Sequence, residues 1–413
     1  MTKTSVKPNA APARGEIASK QGEEQKKQTF SKRMRKKFRL FSVRSGMDMP
    51  FLFLTLVLLI IGLVMLFSAS FANALYRFGN SYYFIIRQAG FAVLGVIIMI
   101  LISYFDYHHL HKFAIPILLI SYMALVLVLF TRKINGVHRW IELGPLGQFQ
   151  PSELAKFAVI LVFAHLISIN FKRMGTFRYG VLPYILILGA TAGLLVLEPH
   201  VSATIILVFL AGVMLFVGGV RLRWFGIAFG GAGAAVAYLV LFTQKFSYAN
   251  DRIVAWLDPF STASKELMAD TWQTRQSLYA IGSGGLLGLG LGQSRQKYLY
   301  LPEPQNDFIF AIVCEELGFI GALIIIILFA MLVWRGISIS LKAKDKFGML
   351  LGIGLVVQVG IQVVLNIAVV TNTVPNTGIS LPFFSYGGTS LVILLAEMGV
   401  VLSISRTSSI EKT

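Results

Sequence analysis

The chain has 413 residues, of which 56% are hydrophobic and 14% charged, and its mean hydropathy is +0.72. This composition is too apolar for a soluble globular domain and indicates a polytopic membrane protein. The formal net charge is +18, but the basic residues belong to no aromatic-interleaved domain, so we expect an orientation signal and no nucleic-acid partner. With one cysteine, Cys314, the chain has no intrachain disulfide framework.

Residues 1–46 form a polar, basic tail that we expect to be disordered and cytoplasmic. We do not expect a signal peptide, because the first apolar run begins only at Pro50 and no small-residue cleavage site follows it. Six basic residues lie shortly before this run: Lys32, Arg33, Arg35, Lys36, Lys37 and Arg39. At about 1 kcal/mol per charge, they favour binding to anionic membrane lipids. A docking site for a cytoplasmic partner is the alternative.

Ten apolar segments are each long enough to cross a bilayer core of roughly 30 Å. They are residues 50–71, 82–104, 113–130, 153–170, 180–197, 201–219, 224–243, 307–334, 348–370 and 382–405. The predicted fold is therefore an all-α polytopic membrane protein, with a ten-helix membrane domain at 47–406. With the basic tail inside, as the positive-inside rule favours, the short C-terminal tail at 407–413 is also cytoplasmic.

In this orientation the polar segments of greatest interest lie on the extracytoplasmic side. They are the loop 131–152, the Glu198-Pro199-His200 connection, the large loop 244–306 between helices seven and eight, and the loop 371–381. We therefore expect binding or chemistry on that face, where no ATP is available. The glycine-rich stretch 282–292 follows no strand, so it is not a nucleotide fingerprint. It forms either a tight re-entrant turn or a backbone nest for phosphate.

Two charged residues stand where the fourth span begins. Glu153 and Lys156 are spaced i and i+3, which makes them neighbours on one helix side. They either neutralise each other for structure or form the wall of a polar cavity. The preceding loop carries Arg132, Lys133 and Arg139 on a face where positive charge is disfavoured, which suggests an anionic ligand.

Asp307 stands at the junction of a polar loop and a long apolar helix. An ionisable residue at the start of a span indicates function, because an unpaired charge in hydrocarbon is costly. The alternative is a helix N-terminal acid that interacts with the macrodipole for about 0.3–1 kcal/mol. Asn366 and Glu397 are also intramembrane polar residues, and we interpret Glu397 as buried and hydrogen-bonded.

Two further extracytoplasmic features complete the polar set. The loop 244–306 carries Arg252, Asp258, Gln273, Arg275, Gln276 and Ser277. The stretch 371–390 is polar and is bent by Pro375, Pro382 and several glycines. Broken backbone at membrane depth is tolerated only where it lines a cavity or is buried in protein, so this stretch predicts a cavity.

Three stretches resemble the signature motifs of the SEDS family, the shape, elongation, division and sporulation membrane proteins of bacteria. They are RWIELGPLGQFQPSELAK (139–156), QTRQSLYAIGSGGLLGLGLGQSRQKYLYLPEPQNDFIFAIVCEELGFIG (273–321) and TGISLPFFSYGGTS (377–390). The similarity extends over residues 48–406. The segments YLPEPQNDFIFA and PFFSYGGTS are more similar to division and sporulation members than to the elongation member.

The resemblance implies a peptidoglycan glycosyltransferase of the bacterial plasma membrane that polymerises lipid II, releasing undecaprenyl pyrophosphate. It also implies a class B penicillin-binding transpeptidase and other division-complex proteins as partners. Asp307 matches the family's essential aspartate, and it would act as a base or hold a divalent cation, Mg²⁺ or Mn²⁺. Substrate binding is expected from Glu153, Lys156, Arg139, Gln150, Ser152, Arg275, Gln276 and Ser385; Glu315 is a further carboxylate candidate.

The chain departs from the family pattern between helices five and six. Many members read (Q/E)-P-D-x-G-T where this chain has EPHVSA at 198–203, without the acid and the glycine. We expect His200 to cap a loop and assign it no function. Two other classes of protein remain open at this stage: a precursor flippase or transporter, whose spans also carry broken helices and charges, and a non-catalytic scaffold for the transpeptidase, which would not need Asp307.

Overall fold

The structure, a computed structural model, describes residues 46–132, 138–142, 144, 147–227, 230, 256–260 and 265–408. This part of the chain is almost wholly helical, in agreement with the predicted all-α fold. The helices are α1 (Met49–Phe78), α2 (Tyr83–Tyr104), α3 (Leu110–Val128), α4 (Pro151–Asn170), α5 (Phe177–Gly180), α6 (Leu182–Leu197), α7 (Val201–Val217), α8 (Lys265–Gly284), α9 (Ile309–Leu341), α10 (Lys346–Val370) and α11 (Gly388–Ser408). Two short strands, β1 (Ile141–Glu142) and β2 (Gln148–Phe149), pair antiparallel.

Eight helical segments of the described chain are long and apolar enough to cross a membrane, so the protein is a multi-pass membrane protein. The helix α7, with 17 residues, is shorter but also apolar. These nine segments match nine of the ten predicted spans. The predicted span 224–243 and the basic tail fall largely or wholly outside the described residues, so the count of ten stays a prediction.

Two of the boundaries that differ from those predicted have a clear local cause, and one helix was not predicted. The helix α1 continues past residue 71 to Phe78, because no helix-breaking residue occurs before Gly79, which takes φ 66° at the C-cap. The final span begins at Gly388 and not at 382, because Pro382 and a left-handed Phe383 (φ 66°) keep 382–387 non-helical. The predicted loop 244–306 contains the helix α8. Because the sequence of α8 is polar, hydropathy does not identify it as a membrane span.

Asp48 holds three helices together at one end of the fold. Its carboxylate caps α1 by accepting from Phe51 N at 3.0 Å, and it accepts from Arg335 Nε and Nη2 on α9 at 3.0 and 2.7 Å. Its backbone N donates to Ser405 Oγ on α11 at 3.1 Å. A single acid thus satisfies an open helix end and neutralises an arginine inside a span.

The helices α2 and α11 pack closely along small residues, and we call this contact the α2–α11 seam. A Cβ added to Gly95 would lie 2.5 Å from Leu395 Cδ1, and one added to Gly399 would lie 2.6 Å from Met99 O. Because lipid offers no hydrophobic drive for helix association, close approach at small residues is the usual source of packing energy in membranes. The seam places the start of α11 beside α2.

The glycine-rich stretch forms a tight turn against a kink in α9. The kink is at Gly318 (φ 68°, ψ −171°), and the turn donates Leu289 N to Glu315 O at 2.9 Å and Gly290 N to Glu316 O at 3.0 Å. The Glu316 carboxylate accepts from Gly292 N at 3.0 Å and from Lys297 Nζ at 2.9 Å. These N–H groups are used within the protein, which favours the turn over a phosphate nest.

Glu315 is therefore not an accessible second carboxylate. Its side chain is fully buried and accepts hydrogen bonds from Ser294 Oγ and, at 2.9 Å, from Arg295 N. Our assignment of Glu315 as a candidate for chemistry is wrong for a physical reason: its place on α9 directs it into the glycine turn, where backbone donors saturate it.

We expect Gly288→Ala to destabilise the protein by more than about 3 kcal/mol. Gly288 has φ 80°, and a Cβ there would lie 2.2 Å from Glu316 O. Gly292→Ala is the matched control, because Gly292 has φ 82° but no atom within 4 Å of the added Cβ. The control should cost only the strain of the left-handed backbone, about 1–2 kcal/mol. Thermal unfolding of both variants in one detergent measures the difference; equal losses would contradict the steric argument.

Candidate active site

A polar cavity of about 820 Å³ opens among the helix ends, at the place where the family motifs meet. Its walls come from the end of α1, from α2, α4, α7, α10 and α11, from the hairpin segment, from the connection before α7 and from two loops. The loops are the segment before α9, around Asp307, and the broken stretch before α11, around Gly378 and Ser385. The prediction that 371–390 lines a cavity is confirmed.

Asp307 lies in the wall of this cavity, two residues before α9 begins. Asn366 on α10 donates to Asp307 O at 2.8 Å and to Ile379 O at 2.6 Å, which joins the Asp307 segment to the loop before α11. Gly378 (φ 68°) packs on the carboxylate, because a Cβ there would lie 3.0 Å from Asp307 Oδ2. Asp307 precedes the N-cap residue Phe308, so it does not occupy the first helical turn.

The surroundings of Asp307 make its carboxyl group a weaker acid than usual. Burial raises its pKa to about 6, while the Arg139 guanidinium opposes this shift and the Glu303 carboxylate adds to it. A carboxylate with a pKa near neutrality can take a proton and release it at physiological pH.

Glu153 and Lys156 form a salt bridge in the cavity wall. Lys156 Nζ lies 2.9 Å from Glu153 Oε1, and their side chains are 3% and 16% exposed respectively. Behind them Glu397 on α11 accepts from Gln358 Nε2 on α10, at 3.1 Å to Oε2 and 3.4 Å to Oε1. Glu397 is thus buried and hydrogen-bonded as predicted, but it also lines the cavity and interacts electrostatically with Lys156.

Arg139 reaches the cavity from the segment that leads into the short hairpin. Its Nη2 donates to Pro199 O, which fixes it to the connection between α6 and α7. The hairpin is itself attached to the start of α11, because Thr389 Oγ1 donates to Gln148 O at 2.7 Å. This segment thereby brings a guanidinium within electrostatic reach of Asp307.

The remaining predicted substrate residues fall into two groups. Gln150 and Ser385 line the cavity. The Ser385 hydroxyl, however, donates to Asn306 O and accepts from Leu381 N, both at 2.7 Å, so it joins two loops. Ser152 is fully buried and is not among the lining residues; its Oγ has no partner within the described chain.

Arg275 and Gln276 do not line the cavity. Both are buried on α8, where Arg275 Nε donates to Pro259 O at 3.2 Å and Nη2 to Thr271 Oγ1 at 3.3 Å. We expected both residues to lie in an open loop, but they lie on α8, on a turn that is buried against the rest of the protein. In the same turn, Ser277 Oγ donates to Val370 O at 2.8 Å. In this arrangement Arg275 fixes α8 to the chain before it.

Several cavity residues were missed by sequence reasoning. Gln358 and Gln362 line the cavity with His200. The signal for the two glutamines was present, because Gln358, Gln362 and Asn366 follow one another at i, i+4 and i+8 on one face of an apolar helix. The sequence assigns His200 no function because residues 198–203 depart from the family motif. The signal for His200 is that it is a polar residue beside a predicted cavity.

The residues around Asp307 that could bind a divalent cation are sufficient only if the substrate supplies further ligands. Within the described residues no cluster of three His, Cys, Asp or Glu side chains is placed to hold a metal ion. Asp307 contributes one carboxylate, with the Gln305 and Asn306 side chains beside it in the cavity wall. Mg²⁺ is commonly bound by one or two carboxylates together with phosphate oxygens and water, so this set fits a shared site.

Comparison with known proteins agrees with this arrangement. Residues 49–410 match the family model described as "Cell cycle protein", that of FtsW, RodA and SpoVE. Stage V sporulation protein E of Bacillus subtilis (strain 168) is 41% identical over 368 residues, which cover 88% of this chain and 98% of that protein. The probable peptidoglycan glycosyltransferase FtsW of Trichlorobacter lovleyi is 38% identical over 375 residues, covering 90% and 95%.

Two solved structures share the fold. One, from work on a peptidoglycan synthase complex that coordinates polymerization and crosslinking, superposes with a TM-score of 0.72 at 28% identity and covers 88% of this chain and 99% of that chain. The other, the rod shape determining protein RodA of Thermus thermophilus, has a TM-score of 0.63 at 27% identity and covers 88% and 98%. The chain therefore belongs to the cell cycle protein family of FtsW, RodA and SpoVE, the SEDS family that its motifs indicate.

Proposed function

We propose that the protein is a peptidoglycan glycosyltransferase that polymerises lipid II in cell division or sporulation. The observation that carries this proposal is one polar cavity that holds the Asp307 carboxylate together with Lys156 and Arg139. The relative from Trichlorobacter lovleyi, a probable peptidoglycan glycosyltransferase, supports the same reaction class, and the sporulation protein of Bacillus subtilis supports the cellular process. A carboxylate and two cations are the groups that a sugar transfer from a lipid pyrophosphate requires.

In the proposed reaction the 4-hydroxyl of the acceptor sugar attacks the anomeric carbon of the donor. A carbon–oxygen bond forms there as the bond to the lipid pyrophosphate breaks, and the hydroxyl proton passes to Asp307. Inversion from an α-linked donor to a β-linked glycan needs one base and no second carboxylate nucleophile. Asp307, with its pKa near 6, accepts the proton and can return it to water.

Negative charge develops on the departing pyrophosphate, and we assign its stabilisation to Arg139 and Lys156. Arginine binds phosphate oxygens through a planar fork, and a lysine ammonium has three N–H donors, so one bond to Glu153 leaves others available. A preorganised cation in a partly dry cavity acts more strongly than one in water. A divalent cation held at Asp307 would add further neutralisation of the pyrophosphate.

We further propose that the cavity faces the extracytoplasmic side of the plasma membrane, with both termini in the cytoplasm. The partner we infer is a crosslinking enzyme of the class B penicillin-binding type, within the division machinery. Support comes from the structural neighbour, which was solved in work on a complex that joins polymerization to crosslinking. Lipid II is the substrate in this scheme.

The experiment that tests the function is synthesis of glycan polymer from purified lipid II by the purified full chain in detergent. Polymer formed without any other polymerase, and lost with Asp307, supports the proposal. A chain that moves lipid II across vesicle membranes and forms no polymer would be a transporter. A chain that forms no polymer either alone or with its crosslinking partner would act as a scaffold.

We expect polymerisation to have an acidic limb near pH 6. The active form of Asp307 is the carboxylate, so below its pKa of about 6 the rate should fall about tenfold per pH unit. Glu303→Gln removes a charge that raises this pKa and should move the limb to lower pH; Arg139→Gln should move it to higher pH. Initial rates at saturating lipid II measure both shifts. A limb that stays in place in both variants would show that another group titrates.

A further inference from the structure

His200 occupies the connection between α6 and α7, where the chain departs from the family motif. Its backbone is well fixed: His200 N donates to Leu195 O at 2.9 Å, and His200 O accepts from Thr204 N at 3.4 Å. His200 is the N-cap residue of α7, a position where a side chain usually accepts from the helix N–H groups, but its side chain makes no such bond. Our expectation that it caps the loop is wrong for the side chain.

His200 instead forms part of the cavity wall. His200 is among the lining residues although only 7% of it is exposed, and its Nδ1 has no hydrogen-bond partner among the described residues. A buried polar atom without a partner costs about 1–3 kcal/mol, so folded proteins rarely keep one without a use. The residue is thus as buried as a core residue, yet it lines a polar cavity and keeps a polar atom for which the described chain offers no partner.

The charges around His200 define what it can bind. Burial lowers its pKa to about 3, and the positive charges of Arg139 and Lys156 act in the same direction, so the ring is neutral at physiological pH. A neutral imidazole has one N–H donor and one acceptor. Because both neighbouring charges are positive, the ligand atom placed between them is an electronegative one, and the imidazole meets it by donating its N–H.

Three contacts connect His200 to the reacting centre. Arg139 donates to Pro199 O, the residue directly before His200. Ser202 Oγ, two residues after it, donates to Thr377 O. Thr377 precedes Gly378, which packs on the Asp307 carboxylate. The connection is therefore joined on one side to the arginine and on the other to the loop that packs on the proposed base.

From this geometry we propose that His200 is a substrate-contacting residue that donates a hydrogen bond to a pyrophosphate oxygen of the departing lipid. The inference rests on the proposed function and deepens it, because it assigns the third group of an Arg139–Lys156–His200 pyrophosphate subsite. A neutral donor there binds the lipid pyrophosphate without adding charge that would retain the product.

The test compares His200→Phe with His200→Asn. Phenylalanine fills similar space and removes the polar atoms, whereas asparagine keeps an N–H donor near the position of Nδ1. Binding of undecaprenyl pyrophosphate is measured on the Asp307→Asn background, with undecaprenol as the control for the lipid tail. We expect His200→Phe to weaken pyrophosphate binding by at least about tenfold, since a hydrogen bond to a charged group has this scale. His200→Asn should retain most of the binding, and undecaprenol should bind all variants equally.

Thermal unfolding gives a second measurement, in which the expected effect of His200→Phe on stability is opposite to its effect on binding. His200→Phe removes an unpartnered buried polar atom, so its melting temperature should be unchanged or higher. A lowered melting temperature with equal loss of binding in both variants would make His200 structural and overturn the proposal. Unchanged pyrophosphate binding in His200→Phe would also overturn it.

Kinetics in the otherwise native protein separates the two lipid pyrophosphates present in the reaction. A contact to the leaving group should lower kcat in His200→Phe and weaken inhibition by undecaprenyl pyrophosphate. A raised KM for lipid II with unchanged kcat would place the contact on the acceptor and overturn the leaving-group assignment. If the native chain forms no polymer but pyrophosphate binding still depends on His200, the polymerase proposal and the leaving-group role fail, while the assignment of His200 to a pyrophosphate-binding subsite stands.

Discussion

Replacing Asp307 with asparagine should reduce glycan polymerisation by at least about 10²-fold while the protein folds and inserts normally. The loss follows from removing the proposed general base, whose usual contribution is of this scale. The fold should survive, because the hydrogen bond that anchors this residue runs from Asn366 Nδ2 to its backbone oxygen, which the substitution keeps. The measurement is polymer length and yield from lipid II, with unfolding temperature recorded on the same preparation.

Glu303→Gln is the matched control, since it neutralises a carboxylate four residues earlier in the same loop. Glu303 forms an ion pair with Arg77 at 2.9 Å whose side chains are 31% and 49% exposed, and exposed pairs contribute little to stability. We expect its effect on rate at pH 8 to be below about tenfold. A well-folded Asp307→Asn protein that still polymerises would refute the assignment of the base.

The Glu153–Lys156 pair should prove functional when its two members are replaced together. Removing one partner of a buried ion pair destabilises by roughly 3–5 kcal/mol, because the other charge is left uncompensated. The loss should be greater for Lys156→Met, which leaves two acids, Glu153 and Glu397, without the cation they share, than for Glu153→Gln, which leaves Lys156 near Glu397. Unfolding of both single variants measures this asymmetry.

The double variant Glu153→Gln/Lys156→Met distinguishes a structural pair from a catalytic one. We expect it to recover most of the lost stability and to remain inactive, because the cavity has lost a cation that complements the leaving group. The comparison requires unfolding and lipid II polymerisation in one detergent for all four proteins. A double variant that is both stable and fully active would show that the pair only neutralises itself, and would remove Lys156 from the site.

Hydropathy was sufficient for most of the spans because the bilayer restricts the possible structures so strongly. A helix in lipid must satisfy its own backbone and present apolar side chains, and both demands are visible along the chain. The helix boundaries were harder to predict, because they depend on the positions of helix-breaking residues. The helix α1 ends before Gly79, and α11 begins only at Gly388. The helix α8 carries no such apolar signal because it is only partly buried.

The candidate site was only partly predictable, for a different reason. Three charged residues stand at the ends of apolar helices: Asp307, Glu153 and Lys156. Because an unpaired charge is costly in lipid, their positions indicate function from sequence alone. Arg275 and Gln276 had the right chemistry, but a charge in a loop does not reveal which way its backbone turns, and α8 directs both into protein. Ser385 lies in the cavity wall as expected, yet its hydroxyl is used by the loops on either side.

The α2–α11 seam has a consequence for the order in which the protein becomes competent. Gly387 N, at the start of α11, donates to Gln88 Oε1 on α2 at 3.2 Å across 299 residues of sequence. Chains emerge from the ribosome N-terminus first, so α2 enters the membrane long before the helix that closes against it is made. Until then Arg87 and Phe91 line no cavity, and Asp307 lacks the wall that Gly378 provides. The site is therefore closed only once α11 has been made, and a chain that has not yet reached this helix has the other cavity residues without the wall that joins them.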